Sequence, residues 1–160
     1  MLDYLKRYYA YATWANDLAC DGIAQLSEES TQRKEALRRL GHSLEAGQLW
    51  RKNRIFGEPS TNVGVWPSLS LEEARAKNVE EGKIWQDYLS TISESDLSRS
   101  ITYSNLAGQP FTSSLQDILH HVANHATHHR GQVMQLVRQG GGVPKPTDFI
   151  AYIRILTDVQ

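Results

Sequence analysis

The chain has 160 residues, 40% of them hydrophobic and 22% charged, with 17 Lys plus Arg against 18 Asp plus Glu and a formal net charge of −1. That length suits one domain with its own core, read as a single unit over residues 1–160. Balanced charge offers no field for collecting nucleic acid, and no apolar run approaches the roughly 20 residues that span a bilayer, so neither a nucleic-acid nor a membrane partner is expected.

The first predicted element is a helix from about Asp3 to Leu26, with apolar residues at Leu5, Tyr8/Tyr9, Ala12, Ala15, Ala19, Ile23 and Leu26. Its opening, MLDYLKRYYAYATWAND, sets charges and tyrosines where a signal peptide needs an apolar run, and a cytoplasmic protein is expected. Cys20 stands alone, which excludes a disulfide framework and a cysteine metal cluster. The segment SEEST supplies Ser and Thr caps for a second helix from near Thr31 to about Arg54. Its basic residues, Arg33, Lys34, Arg38, Arg39, Arg51, Lys52 and Arg54, read as a solvated face. FGEPSTNVGVWPSLS is a loop carrying a tethered tryptophan, Trp66, and Ser70 with Glu73 forms a capping box for a third helix from about Leu71 to Ile92.

In RSITYSNLAGQPFTS the period changes to two: Ile101 and Tyr103 alternate with polar residues, NLAGQ turns the chain, and Phe111 returns on a partner strand. Ser113 and Gln116 read as a second capping box, starting a fourth helix whose apolar stripe runs through Leu115, Ile118/Leu119, Val122, Val133 and Leu136/Val137. GGGVPKP ends that helix, and Thr147 or Asp148 caps a short last one through DFIAYIRIL. The fold class expected is all-α: a four-helix bundle with a small β-hairpin before the fourth helix and a short C-terminal helix.

Five of the six histidines fall in HHVANHATHHRGQ, on the fourth helix. Residues i and i+4 share a helix face, so His121/His125 and His125/His129 can each aim two rings at one point. At about 100° per residue, His129 lies about 30° and His125 about 70° from the apolar stripe, His121 falls on the boundary, and His120 and His128 point away. His125 and His129 form the inward pair. Two neutral imidazoles turned toward a core need something on their lone pairs, and a divalent metal serves both. The remaining histidine, His42, lies opposite the Leu37, Leu40 and Leu44 stripe and shares its face with Ala46 and Leu49, so periodicity allows it inside without demanding it. HVANH lacks the glutamate of an H-E-x-x-H protease helix, and no Glu-x-x-His pair on two helices supports a di-iron bundle.

A histidine on the second helix, the hairpin, and above all His125, His129, Arg130, Gly131 and Gln132 in the spacing H-x-x-x-H-R-G-Q resemble the DinB-like family, as do YYAYATWANDLA and PTDFIAYIR. The resemblance implies a bundle with one divalent metal held by His42, His125 and His129. It also implies metal-assisted thiol chemistry: transfer of a low-molecular-weight thiol to an electrophile, with a small-molecule substrate, a thiol cosubstrate and a homodimer. Imidazole suits zinc, nickel and ferrous iron alike. A three-ligand site leaves a position where a coordinated thiol would lose its proton near neutral pH. The same position could activate water, making the protein a hydrolase, or the metal could serve a non-catalytic stress-response module. Arg130 is read as binding a substrate anion or pairing with an acid, Asn124 and Gln132 as partners of a ligand's second nitrogen or as cross-links between helices, and Glu45 as a base, a fourth ligand or a solvent-facing acid. Trp50 and Tyr103 are read as core or interface aromatics.

Overall fold

The computed structural model describes residues 1–59, 65–105 and 107–157. Helix α1 spans Leu2–Ala24, α2 Thr31–Leu49, α3 Leu71–Thr91, α4 Leu115–Gln139 and α5 Phe149–Thr157. Strands β1 (Ser100–Ser104) and β2 (Pro110–Ser114) pair antiparallel with Tyr103 opposite Phe111. A π-helical turn, Trp50–Ile55, continues α2, and a 3-10 turn, Glu94–Ser98, precedes the hairpin. This is the all-α bundle that the periodicity requires, and no described helix is long and apolar enough to cross a membrane.

Local chemistry sets the boundaries. Ser30 accepts from the Arg33 N–H at the start of α2, and Ser70 with Glu73 forms the complete capping box at the start of α3. At α4 the cap is one residue later than expected: Ser114, not Ser113, accepts from the Asp117 N–H at 3.1 Å. Ser113 still belongs to β2, paired with Ile101, and its hydroxyl meets that of Tyr103 at 3.2 Å. SSLQD offers two overlapping S-x-x-polar frames, and strand pairing selects the second. Gly140 caps the far end of α4, and Gly141 follows at φ +84°, a left-handed value that suits glycine.

Two apolar clusters form the core. One gathers Leu2, Leu5, Tyr9, Trp85, Leu89, Leu115 and Leu119, and the other Ala19, Ile23, Leu40, Leu44, Val133 and Val137. Between them, along α1, α3 and α4, come Asn16, Asn78, Glu81, His129 and Arg130, all buried. The bundle therefore has a polar waist. Arg51, expected on a solvated face, is 4% exposed and set against Glu81 at 2.9 Å. The continuation of α2 turns it inward, where the carboxylate offsets the cost of burying its charge.

Candidate metal centre

Where α2 packs against α4, His42, His125 and His129 each bring one ligand nitrogen within 4.8 Å of the other two. The i, i+4 spacing on α4 sets the rings of His125 and His129 4.5 Å apart, and His42 reaches across from α2 to lie 5.2 and 4.7 Å from them. His42 Nε2 and His125 Nε2 are 3.3 Å apart. His129 is buried, while His42 and His125 are half-buried at the mouth of the waist.

Neighbours fix which nitrogen carries the proton in two of the three rings. His42 Nδ1 faces the Val65 carbonyl oxygen, which only accepts, so that nitrogen holds the hydrogen and Nε2 keeps its lone pair. The segment carrying Val65 lies close because Gly41 has no side chain: a Cβ there would stand 3.0 Å from Pro67 Cγ. Trp66, in the same segment, stacks on the His42 ring at 3.7 Å and 10°. Arg38 and Arg39 lie over its indole at 4.3 and 5.4 Å. His129 Nδ1 meets Gln132 Oε1 at 2.8 Å. That atom is identified as oxygen by Arg39, a pure donor, whose Nη1 approaches it at 3.4 Å, while Gln132 Nε2 donates to His128 at 3.0 Å. His129 Nδ1 is therefore an N–H, and its Nε2 is free to accept.

Two of the three rings are poor bases here. Burial, then the neighbouring His129 and His42, pulls the His125 pKa down to about 4, and burial also lowers that of His129 against the opposing effect of Gln132. A single proton on His125 Nε2 would satisfy one contact with His42 but not a third converging lone pair. One divalent cation satisfies all three. With metal–nitrogen bonds of about 2.0–2.1 Å, tetrahedral geometry places ligand nitrogens about 3.3–3.4 Å apart, the separation already present between His42 and His125.

Among the described residues no carboxylate or thiol joins the three imidazoles. Glu45, read as a base, a fourth ligand or a solvent-facing acid, instead pairs with Lys77 Nζ at 2.6 Å with its side chain only 11% exposed. Beside His42 and His125 opens a pocket of about 250 Å³, with Ala46, Leu49, Trp50 and Tyr103 as apolar walls and Arg54 and Asn105 among the rest of its lining. Trp50 and Tyr103, read as core or interface aromatics, do pack against the first apolar cluster and also wall this pocket.

The other histidines stay outside. His121 is exposed and packs on Trp50 at 4.9 Å, His120 Nδ1 bonds the Gln116 carbonyl of its own helix, and His128 is exposed. Arg130 neither faces the pocket nor pairs with an acid: 2% exposed, it donates to Asn16, Tyr11 and Thr127. Asn124 is exposed. Val65 and Trp66 are the contributors that periodicity did not find. The one available signal was a lone tryptophan in a loop rich in Pro, Gly, Ser and Thr.

A family model described as the DinB family matches residues 1–158. The chain is also similar to "Protein DinB" of Bacillus subtilis (strain 168), at 23% identity over 166 residues, which cover 96% of this chain and 95% of that protein.

Proposed function

The chain belongs to the DinB family, and from that premise we propose that it is a metal-dependent enzyme transferring the sulfur of a small thiol to an electrophile, with His42, His125 and His129 as the metal ligands. One observation carries the reading: a ligand nitrogen from each of three histidines converges from two helices beside an apolar pocket, with no fourth protein ligand among the described residues. A divalent cation held there, zinc or nickel in first expectation and iron as well, would lower the pKa of a coordinated thiol and make thiolate available at neutral pH.

The chain's own residues supply the rest. The Val65 carbonyl and the Gln132 amide hold the outer nitrogens of His42 and His129 and so fix both rings. Leu49, Trp50 and Tyr103 keep one side of the pocket dry, where a thiolate loses less of its nucleophilicity to hydration. The sulfur–carbon bond forms as the leaving group departs with its electron pair, and the thiol proton passes to solvent.

The test is to incubate metal-loaded protein with common cellular thiols and a chromogenic electrophile. Thiol-dependent turnover about a hundredfold or more above that of His125→Ala is expected. No rate above the variant with any thiol overturns the reading, and ester cleavage without added thiol assigns a hydrolase instead.

A further inference from the structure

Thiol activation leaves one charged group of the pocket without a task. Helix α2 and its π-helical continuation bring His42, Ala46, Leu49, Trp50 and Arg54 to the same cavity, so a guanidinium lies one turn beyond the aromatic wall. π-Helical turns recur at functional sites because they re-aim side chains at a cost in helix geometry. Trp50 and Tyr103 meet edge to face at 5.0 Å, and the Arg54 guanidinium carbon stands 6.0 Å from the Tyr103 ring centre.

Arg54 differs from the other arginines that line cavities. Arg38 and Arg39 both hold Glu35 at 2.6 Å. Among the described residues no carboxylate reaches Arg54, whose Nη1 donates to the side-chain oxygen of Asn53 at 2.7 Å. An arginine offers five donors in a planar fork that matches a carboxylate. Asn105, the other polar side chain nearby, is engaged in its own turn: its oxygen accepts from the Ala107 and Gln109 N–H groups, and its nitrogen donates to Gln109 Oε1. Arg54 is left as the charged handle of an otherwise apolar pocket.

We propose that this pocket takes a reactant with an apolar or aromatic body and a carboxylate, the body against Leu49, Trp50 and Tyr103 and the carboxylate on Arg54. The proposal rests on the reading that the pocket serves the three-histidine site, and it names the substrate class of that site. The carboxylate can be borne by the electrophile or by the thiol; the recognition is the same.

The experiment is calorimetric titration of metal-loaded protein, without thiol, using 3-phenylpropanoate and the neutral 3-phenylpropanamide. The wild type is expected to prefer the acid by about tenfold or more, the worth of a charge-assisted pair in a half-buried site. Arg54→Gln brings the ratio to about one while leaving the amide's affinity in place, which also shows that the variant is folded, and Arg54→Lys restores part of the preference. A preference that persists in Arg54→Gln means that the cation, not the arginine, holds the carboxylate, and it overturns the proposal. So does equal binding of the two probes, or no binding of either, by the wild type. In the transfer assay, competition by 3-phenylpropanoate against the electrophile or against the thiol assigns the carboxylate to that reactant. Because the titration uses no thiol, a lack of transferase activity and a failure of Arg54 recognition are separate results.

Discussion

Both sides of the bundle's waist bury polar side chains, but they settle them differently. On the α1–α3 side Asn16 donates to Asn78 at 3.0 Å, Arg51 Nη2 sits 2.9 Å from both oxygens of Glu81, and Arg130 donates to Asn16, Tyr11 and Thr127. Donors there meet acceptors, and among the described residues only the Nε atoms of Arg51 and Arg130 are left over. On the α2–α4 side protons run short: three ring nitrogens converge with at most one hydrogen, on His125, to share among them. Buried polar groups persist when matched. The first side supplies its own match; the second offers a place that could hold a cation from outside.

The sharpest way to break that contrast is to unmatch the first side. Glu81→Leu leaves the Arg51 guanidinium buried without its carboxylate and should cost about 3–5 kcal/mol in denaturant unfolding. Zinc affinity should hold to within about threefold, since such a loss is one of fold rather than of ligands. On the other side, Gln132→Leu frees the His129 ring from its tautomer lock and should weaken zinc about 10- to 100-fold with little change in metal-free stability. Competition against a chromophoric chelator reads this directly.

A smaller effect follows from pH. The folded His125 pKa, about 4, lies below the ordinary value of 6.5, so between those values the unfolded chain takes up a proton that the folded chain refuses. Stability of the metal-free protein should therefore fall as pH drops from about 6.5 to 4. After allowance for solvent screening of a half-exposed ring, the loss relative to His125→Asn is on the order of 1 kcal/mol. Equal slopes for wild type and variant would mean that His125 is not held neutral.

Residues whose environment is set within one helix were legible in the sequence. His125 and His129 could be turned inward from their phase against Leu115, Val122 and Val133, because 3.6-residue periodicity is a local property. His42 could not, because α2 has apolar residues on two flanks and only packing decides between them. The Ser113 frame misplaced a cap by one residue, since strand pairing with Ile101 overrode a local signal. Arg51 and Arg130 were assigned to solvent, substrate or an acid because a charged residue in sequence carries no mark of the partner that lets it be buried. Val65 and Trp66 reach His42 across 23 and 24 positions of chain, a contact that depends on how the loop lies over Gly41.

Zinc titration of wild type and His42→Ala, read by chelator competition and by unfolding temperature, probes the convergence of the two helices most directly. About one equivalent should bind the wild type, with affinity falling at least about 100-fold in the variant while its metal-free unfolding temperature stays within a few degrees. Undiminished zinc binding by His42→Ala would contradict the account, because the ion would then be held without α2.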